Sequence, residues 1–167
     1  WQHGDAEAFE SLVEQLHVSA YRVALRLLGD RQDAEDAVQE TFWRLYRAGT
    51  TIRDPERLAG WLYRTTVNVA RNRQKQRWRG HTMPLEHAER LKTDGDADAA
   101  RTLLLRDELQ RALAQLGTKE REALVLRDIE GLEIAEVAAA MGIFEVTVRT
   151  HLSRARLKMR EILHARG

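Results

Sequence analysis

The sequence predicts an all-α protein of two small helical domains joined by a flexible linker, the C-terminal domain being a helix-turn-helix. Three observations carry this. Apolar residues recur at three- and four-residue spacing over most of the 167 residues, and no stretch alternates as a strand does. Pro occurs only twice, which leaves long helices uninterrupted. Over residues 80–100 the pattern gives way to GHTMPLEHAERLKTDGDADAA, whose Gly, Pro and Asp/Ala content reads as a linker. The domains are therefore placed at 1–79 and 101–167.

The first helix is expected over Ala6 to Leu28, with Phe9, Leu12, Val13, Leu16, Ala20, Val23, Ala24 and Leu27 apolar and Gly29 as its stop. The second is DAEDAVQETFWRLYR, Asp33 to Arg47, with Asp33 as N-cap. Ala34, Ala37, Val38, Thr41, Phe42, Leu45 and Tyr46 form its stripe. AGTTIRDPE is a loop in which Asp54 caps the third helix and Pro55 fits its first turn. That helix runs to about Trp78, with Leu58, Trp61, Leu62, Thr65 and Val69 buried. Arg57, Arg64, Asn68, Arg71 and Lys75 lie on another face.

In the second half, Arg101–Leu116 is amphipathic through Leu104, Leu105, Leu109, Ala112, Leu113 and Leu116. Thr118 is expected to cap Lys119–Asp128, and Gly131 breaks the chain. Ile134–Met141 is short, Gly142 turns it where a positive φ suits only Gly, and a long helix follows from Glu145 to about His164.

Composition excludes several classes. Apolar residues make up 43% and charged residues 32%, which fits a folded chain. With no Cys there is no disulfide and no thiolate metal site. The six His residues are scattered, no Glu-x-x-His pairing joins the carboxylates, and no Gly-rich phosphate loop occurs. No enzyme activity, metal, cofactor or small-molecule substrate is expected. No apolar run approaches the ~20 residues of a membrane span, and the start lacks a signal pattern, so no membrane insertion and an intracellular location are expected. The chain starts at Trp1 rather than Met, so a few native residues are expected upstream.

Charge is distributed unevenly. Residues 1–40 hold nine acids and three bases; residues 41–80 hold ten bases and two acids. An acidic block beside a basic block suggests two different partners. In RNRQKQRWR five of nine residues are basic. Asn68 suits base edges, and Tyr63 and Trp78 are expected to be exposed for stacking on unpaired bases, with Trp61 in the core. The loop from Gly49 to Arg57 is a candidate wall of a base pocket. In EIAEVAAAMGIFEVTVRTHLSRAR, Val137, Ala138, Ile143, Val148 and Leu152 pack the two helices together. Thr147, Arg149, Thr150, His151, Ser153 and Arg154 face outward to the major groove, with Arg127, Arg156 and Lys158 near phosphates.

Taken together, GDAEAFESLVEQ, DAEDAVQETFWRLY, LAGWLYRTTVNVARNRQKQRWR and LGTKEREALVLRDIEGLEIAEVAAAMGI with TVRTHLSRARLKMRE resemble, in this order, the extracytoplasmic-function (ECF) sigma factors of bacterial RNA polymerase, of the sigma-70 family. The resemblance implies that Asp33, Asp36, Gln39, Glu40 and Trp43 dock on the β′ clamp of core polymerase, which is also met through the β flap. It implies that Asn68 and the Gly49–Arg57 loop recognise and melt the minus-10 element, with Arg57, Tyr63, Arg64, Arg71, Arg73 and Lys75 along the opened strands. Arg149, Thr150 and Arg154 match minus-35 readers, with Arg127, Thr147 and His151 beside them. An anti-sigma factor is implied as a further partner, and a cytoplasmic location at the nucleoid or, through that partner, at the inner membrane. Phe144-Glu145-Val146 departs from the family's Pro-x-Gly before the recognition helix. The alternative is a conventional helix-turn-helix regulator with a helical interaction domain.

Overall fold

The computed structural model describes residues 6–48, 57–79 and 97–165. Among the described residues the elements are α1 (Ala6–Leu28), α2 (Arg31–Ala48), α3 (Leu58–Arg79), α4 (Ala97–Ala114), α5 (Thr118–Leu124), α6 (Ile134–Met141) and α7 (Glu145–His164). A π-helical turn, Val125–Ile129, continues α5. The expected cap Asp54, Pro55, the loop up to residue 56 and residues 80–96 of the linker lie outside the described residues.

Helices α1, α2 and α3 pack on one another as the first unit. Ala20, Val23, Ala24 and Leu27 meet Ala34, Ala37, Val38, Phe42 and Leu45, and Leu58, Leu62, Val69 and Ala70 complete the core. The alanines let the helices approach closely. Thr41 and Thr66, both buried, donate their hydroxyls to the carbonyls of Ala37 (2.8 Å) and Leu62 (2.9 Å), which removes the cost of burying them. Truncating Leu45 or Leu62 to Ala is expected to cost ~2–5 kcal/mol.

The link between α1 and α2 corrects one expectation. Gly29 ends α1 at φ +75°, returning its N–H to Leu25 O at 2.8 Å. Asp30 then caps α2: its Oδ1 accepts from Asp33 N–H at 2.9 Å. Asp33 is therefore not the N-cap; it sits in the first turn, and Arg73 and Arg77 approach it. Tyr46, expected in the apolar stripe, is exposed instead.

In the second unit, Ala123, Leu124, Val125, Leu126, Val137, Met141, Val148, Leu152 and Ala155 form the core between α5, α6 and α7. Gly142 takes φ +69°, and the N–H groups of Gly142 and Ile143 both return to Ala138 O, making the tight turn of the helix-turn-helix. Gly117, not Thr118, precedes α5; Glu120 reaches back to the Gly117 N–H at 3.1 Å. Glu136 closes the start of α6 in the same way, on Glu133 N–H at 2.7 Å. The expected single helix over Lys119–Asp128 instead changes to π pairing, Glu130 N–H to Val125 O at 2.9 Å. α4 begins at Ala97, four residues before Arg101, and its Leu104 and Leu105 face outward rather than into the core.

The two units touch. α3 packs on α6, α1 meets the π turn, and the buried apolar residues of both halves join in one contiguous cluster.

Candidate nucleic-acid interface

Helix α2 presents a mixed face. Trp43 is 60% exposed and stacks on exposed Tyr46, ring centroids 6.1 Å apart and planes 18° from parallel. Neither ring is needed for the core. Glu40 accepts from Arg44 one turn on, at 2.5 Å. Asp36 accepts from Gln32 (3.2 Å) and from Arg73 of α3 (3.3 Å), and Asp33 pairs with Arg77. The acidic start of α2 and the basic end of α3 thus neutralise each other in part. Gln39 and Glu35 edge an open groove of about 470 Å³ floored by Val13, Val38 and Phe42, where His17 stacks between Tyr21 and Phe42.

Helix α3 divides its sequence-predicted residues between solvent and the second unit. Arg57, Arg64 and Lys75 are exposed, and Trp78, 86% exposed, lies at the helix end as expected. Asn68 and Arg71 point the other way. Arg71 donates Nε to Glu122 Oε1 and Nη2 to Glu122 Oε2, both at 2.6 Å, and Nη2 also reaches Met141 O at 3.0 Å. Its Nη1 lies 3.5 Å from Asn68 Oδ1. The Glu122 side chain is 1% exposed. Met141 ends α6, so the guanidinium also meets the partial negative charge of that helix end. Tyr63, expected to be exposed, is half-buried against the core; burial pushes its phenol up, against a hydrogen bond with Ser19.

Further polar links join the units, none of them predicted by the sequence. Arg22 of α1 forms a two-pronged pair with Glu130 (3.0 and 2.7 Å), a carboxylate 1% exposed, which raises the Arg22 guanidinium. Arg121 donates to Leu27 O at 2.9 Å and to Ala114 O and Leu116 O, satisfying carbonyls at the ends of α1 and α4. Gln110 covers Arg26 O at 3.2 Å. Residues this far apart in sequence leave no local signal. Two carboxylates, Glu122 just before the apolar run Ala123–Leu126 and Glu130 just after Ile129, were the available hint.

The helix-turn-helix displays its predicted readers on α7. Arg149, Thr150, Ser153 and Arg154 are exposed; Thr147 and His151 are half-buried on the flank. Arg149 pairs with Glu145 at 3.0 Å. Arg127, Arg149, Arg156 and Arg160 ring an open groove of about 530 Å³ beside Ile134 and Ser153. Internal partners hold most of these cations: Arg127 on Leu132 O (2.6 Å) and Glu133 (3.3 Å), Arg156 two-pronged on Asp128 (2.9 and 2.7 Å). Lys158 binds both oxygens of Glu120 (2.9 and 2.7 Å). Its ammonium holds the Glu120 carboxyl below the usual carboxylate range, with the Gly117 N–H adding to this and burial opposing it.

Three surfaces result: an acidic-aromatic face on α2, a basic face on α3 and a cationic groove on α7. Among the described residues no helix is long and apolar enough to cross a membrane, and no cluster of His, Asp and Glu is arranged for a metal.

The model of sigma-70 region 2 matches residues 12–80, and that of sigma-70, region 4 matches residues 106–159. The ECF RNA polymerase sigma factor SigE of Mycolicibacterium smegmatis is 35% identical over 159 residues, covering 93% of this chain and 62% of SigE. The chain thus spans less than two thirds of SigE's length. The RNA polymerase sigma-H factor of Pseudomonas aeruginosa is 33% identical over 165 residues, 93% of this chain and 86% of that protein. The solved structure of CnrH in complex with the cytosolic domain of CnrY superposes with a TM-score of 0.73 at 29% identity, over 99% of this chain and 94% of that one. Two region models in order, on the units that carry these surfaces, and relatives at 30% identity or more of which the chain spans over two thirds, ECF sigma factors among them, establish that the chain belongs to the ECF group of the sigma-70 family of RNA polymerase sigma factors.

Proposed function

We propose that this chain directs core RNA polymerase to promoters by docking through α2, opening the minus-10 element on α3 and reading the minus-35 element with α7. The observation that carries the docking step is the exposed Trp43–Tyr46 stack beside Gln39 and Glu40. A large aromatic pair outside the core, rimmed by carboxylates, has the composition of an interface anchor with charged steering groups, and suits the basic clamp of the β′ subunit. Asp33 and Asp36 belong to that face and exchange Arg73 and Arg77 for polymerase side chains on docking. The second unit meets the β flap.

On α3, Arg57, Arg64 and Lys75 hold phosphates of the opened strands, while Asn68, with the loop before α3, takes an unstacked base. Arg71 and Tyr63 join them when the two units part, and Arg73 once Asp33 and Asp36 have exchanged it on docking. In the closed arrangement Arg71 and Asn68 are turned towards Glu122 and α6, so promoter opening requires separation. Polymerase supplies the free energy for it by holding the units on two sites at once. On α7, Arg149, Thr150 and Arg154 meet bases, and Arg127, Thr147 and His151 lie nearer the backbone.

CnrH was solved with the cytosolic domain of CnrY. By that likeness this chain takes a protein partner, which we read as an anti-sigma factor, in the cytoplasm or at the inner face of the membrane. The chain itself performs no bond chemistry; initiation uses the polymerase's active site. A conventional regulator offers no reason for the aromatic face of α2. Titrating labelled core polymerase with the chain tests the docking step: saturable binding, weakened at least tenfold by Asp36→Lys, is expected, and equal binding of both proteins would sink it.

A further inference from the structure

We infer that Glu145 and Arg149 act as one reading unit, so that α7 selects a cytosine beside the guanine contacted by Arg149, along an outer edge made apolar by Val146 and Thr150. This rests on the promoter-reading role proposed above.

The first turn of α7 is unusual for a DNA-facing helix. Phe144, which precedes it, is 82% exposed, and Val146 is 67% exposed. Neither side chain packs into the fold. Between them Glu145 directs Oε2 to Arg149 Nη2 at 3.0 Å, with both side chains largely in solvent. An exposed pair one helical turn apart stabilises a helix only slightly. A carboxylate at a helix start is favoured by the dipole, but on a surface meant for phosphates it also repels the ligand. It becomes useful where it meets a hydrogen-bond donor, and in the major groove the base donors are the N4 amine of cytosine and the N6 amine of adenine. Adenine places its N7 acceptor beside that amine, against the second carboxylate oxygen, so cytosine is preferred.

Arg149 gains from the same pair. One Nη hydrogen is committed to Glu145, which fixes a long side chain that otherwise samples many rotamers. The remaining donors of the guanidinium fork stay free for guanine O6 and N7. Thr150 donates its hydroxyl to Val146 O at 3.0 Å, so its proton is spent within the helix and its methyl is what it offers outward. With the Val146 isopropyl one turn earlier, this edge matches the C5-methyl of thymine, the apolar group of the major groove. Glu145 thus trades general affinity for discrimination, by reading an amine that a wrong base pair does not place there.

The test is selection by holoenzyme, reconstituted from purified core polymerase and the full chain, on a duplex library randomised across the promoter. Wild type should enrich cytosine at one upstream position by about tenfold, next to an enriched guanine and near thymines. Glu145→Ala should flatten the cytosine position to within about twofold, leave the downstream element unchanged and bind unselected DNA more tightly, because a negative charge has left the DNA-facing surface. Glu145→Gln should move that same position towards adenine, whose N6 and N7 an amide pairs with. If both variants enrich the same bases as wild type at every position, Glu145 is only a helix-surface partner of Arg149 and the inference is overturned. If wild-type holoenzyme enriches no sequence, the promoter reading fails and takes the inference with it.

Discussion

Arg71 and Glu122, 51 residues apart, meet in a two-pronged ion pair with both contacts at 2.6 Å, tying α3 to α5 across the boundary between the two units. Glu122 is buried; Lys119 lies 3.4 Å from it, and the charge of Arg121 also acts on it. Burying this carboxylate is tolerable only because the guanidinium meets both of its oxygens.

Glu122→Gln should therefore loosen the closed form. Removing one partner of a buried pair costs ~3–5 kcal/mol, less here because Arg71 keeps Met141 O and some solvent. A shift of ~2 kcal/mol towards the open form corresponds to about 30-fold in the equilibrium. Labels on α2 and α7 should report longer distances by energy transfer, and Glu122→Gln should activate transcription at limiting polymerase. Arg71→Ala should open the chain equally but lose promoter opening, since Arg71 is itself assigned to DNA.

The pair of Arg22 and Glu130 should behave as a second, partly independent tie. Arg22→Ala leaves the Glu130 carboxylate buried without its guanidinium and should destabilise the protein by ~2 kcal/mol in urea unfolding. Combined with Glu122→Gln, the loss should fall short of the sum, because once one tie opens the units, the other is already exposed to water.

Acid should weaken the second unit through Glu120. Lys158 and the Gly117 N–H hold its carboxyl below the ordinary range, so the folded state binds that proton less tightly than the unfolded chain. The stabilisation is present above the unfolded carboxylate range, ~4.3, and is lost as pH falls through the lower folded value. Glu120→Gln should be less stable than wild type by ~1 kcal/mol near neutral pH, with the gap closing below about pH 4, in thermal melts followed by circular dichroism.

Trp43→Ala separates folding from docking. The indole is mostly in solvent, so unfolding should change by no more than ~0.5 kcal/mol. Binding to core polymerase should weaken by ~2 kcal/mol, about 30-fold, as for a central aromatic anchor. A loss of stability as large as the loss of binding would return Trp43 to a structural role.

The helices themselves were legible because burial imposes a 3.6-residue period, and the core of α1, α2, α5, α6 and α7 follows it. Glycine signals placed the ends of α1 and α6, where Gly29 and Gly142 take positive φ. Errors came where neighbouring residues could trade roles. Asp30 and Asp33 both suit an N-cap, and the ion pairs of Asp33 with α3, invisible in sequence, decide between them. Tyr46, Leu104 and Leu105 match an apolar stripe yet face solvent, because period does not say how wide the partner surface is. The basic face of α3 was readable as a face. Its division between exposed Arg64 and Lys75 and inward Asn68 and Arg71 depends on residues of the second unit, which no local pattern carries.

The central claim is that this chain gives core polymerase its start sites, and in-vitro transcription on a library of genomic fragments tests it most directly. Purified core plus the chain should initiate at discrete positions sharing two upstream elements, with the signal lost for Trp43→Ala at equal concentration. Initiation no different from core alone, at concentrations that saturate polymerase binding, would contradict it.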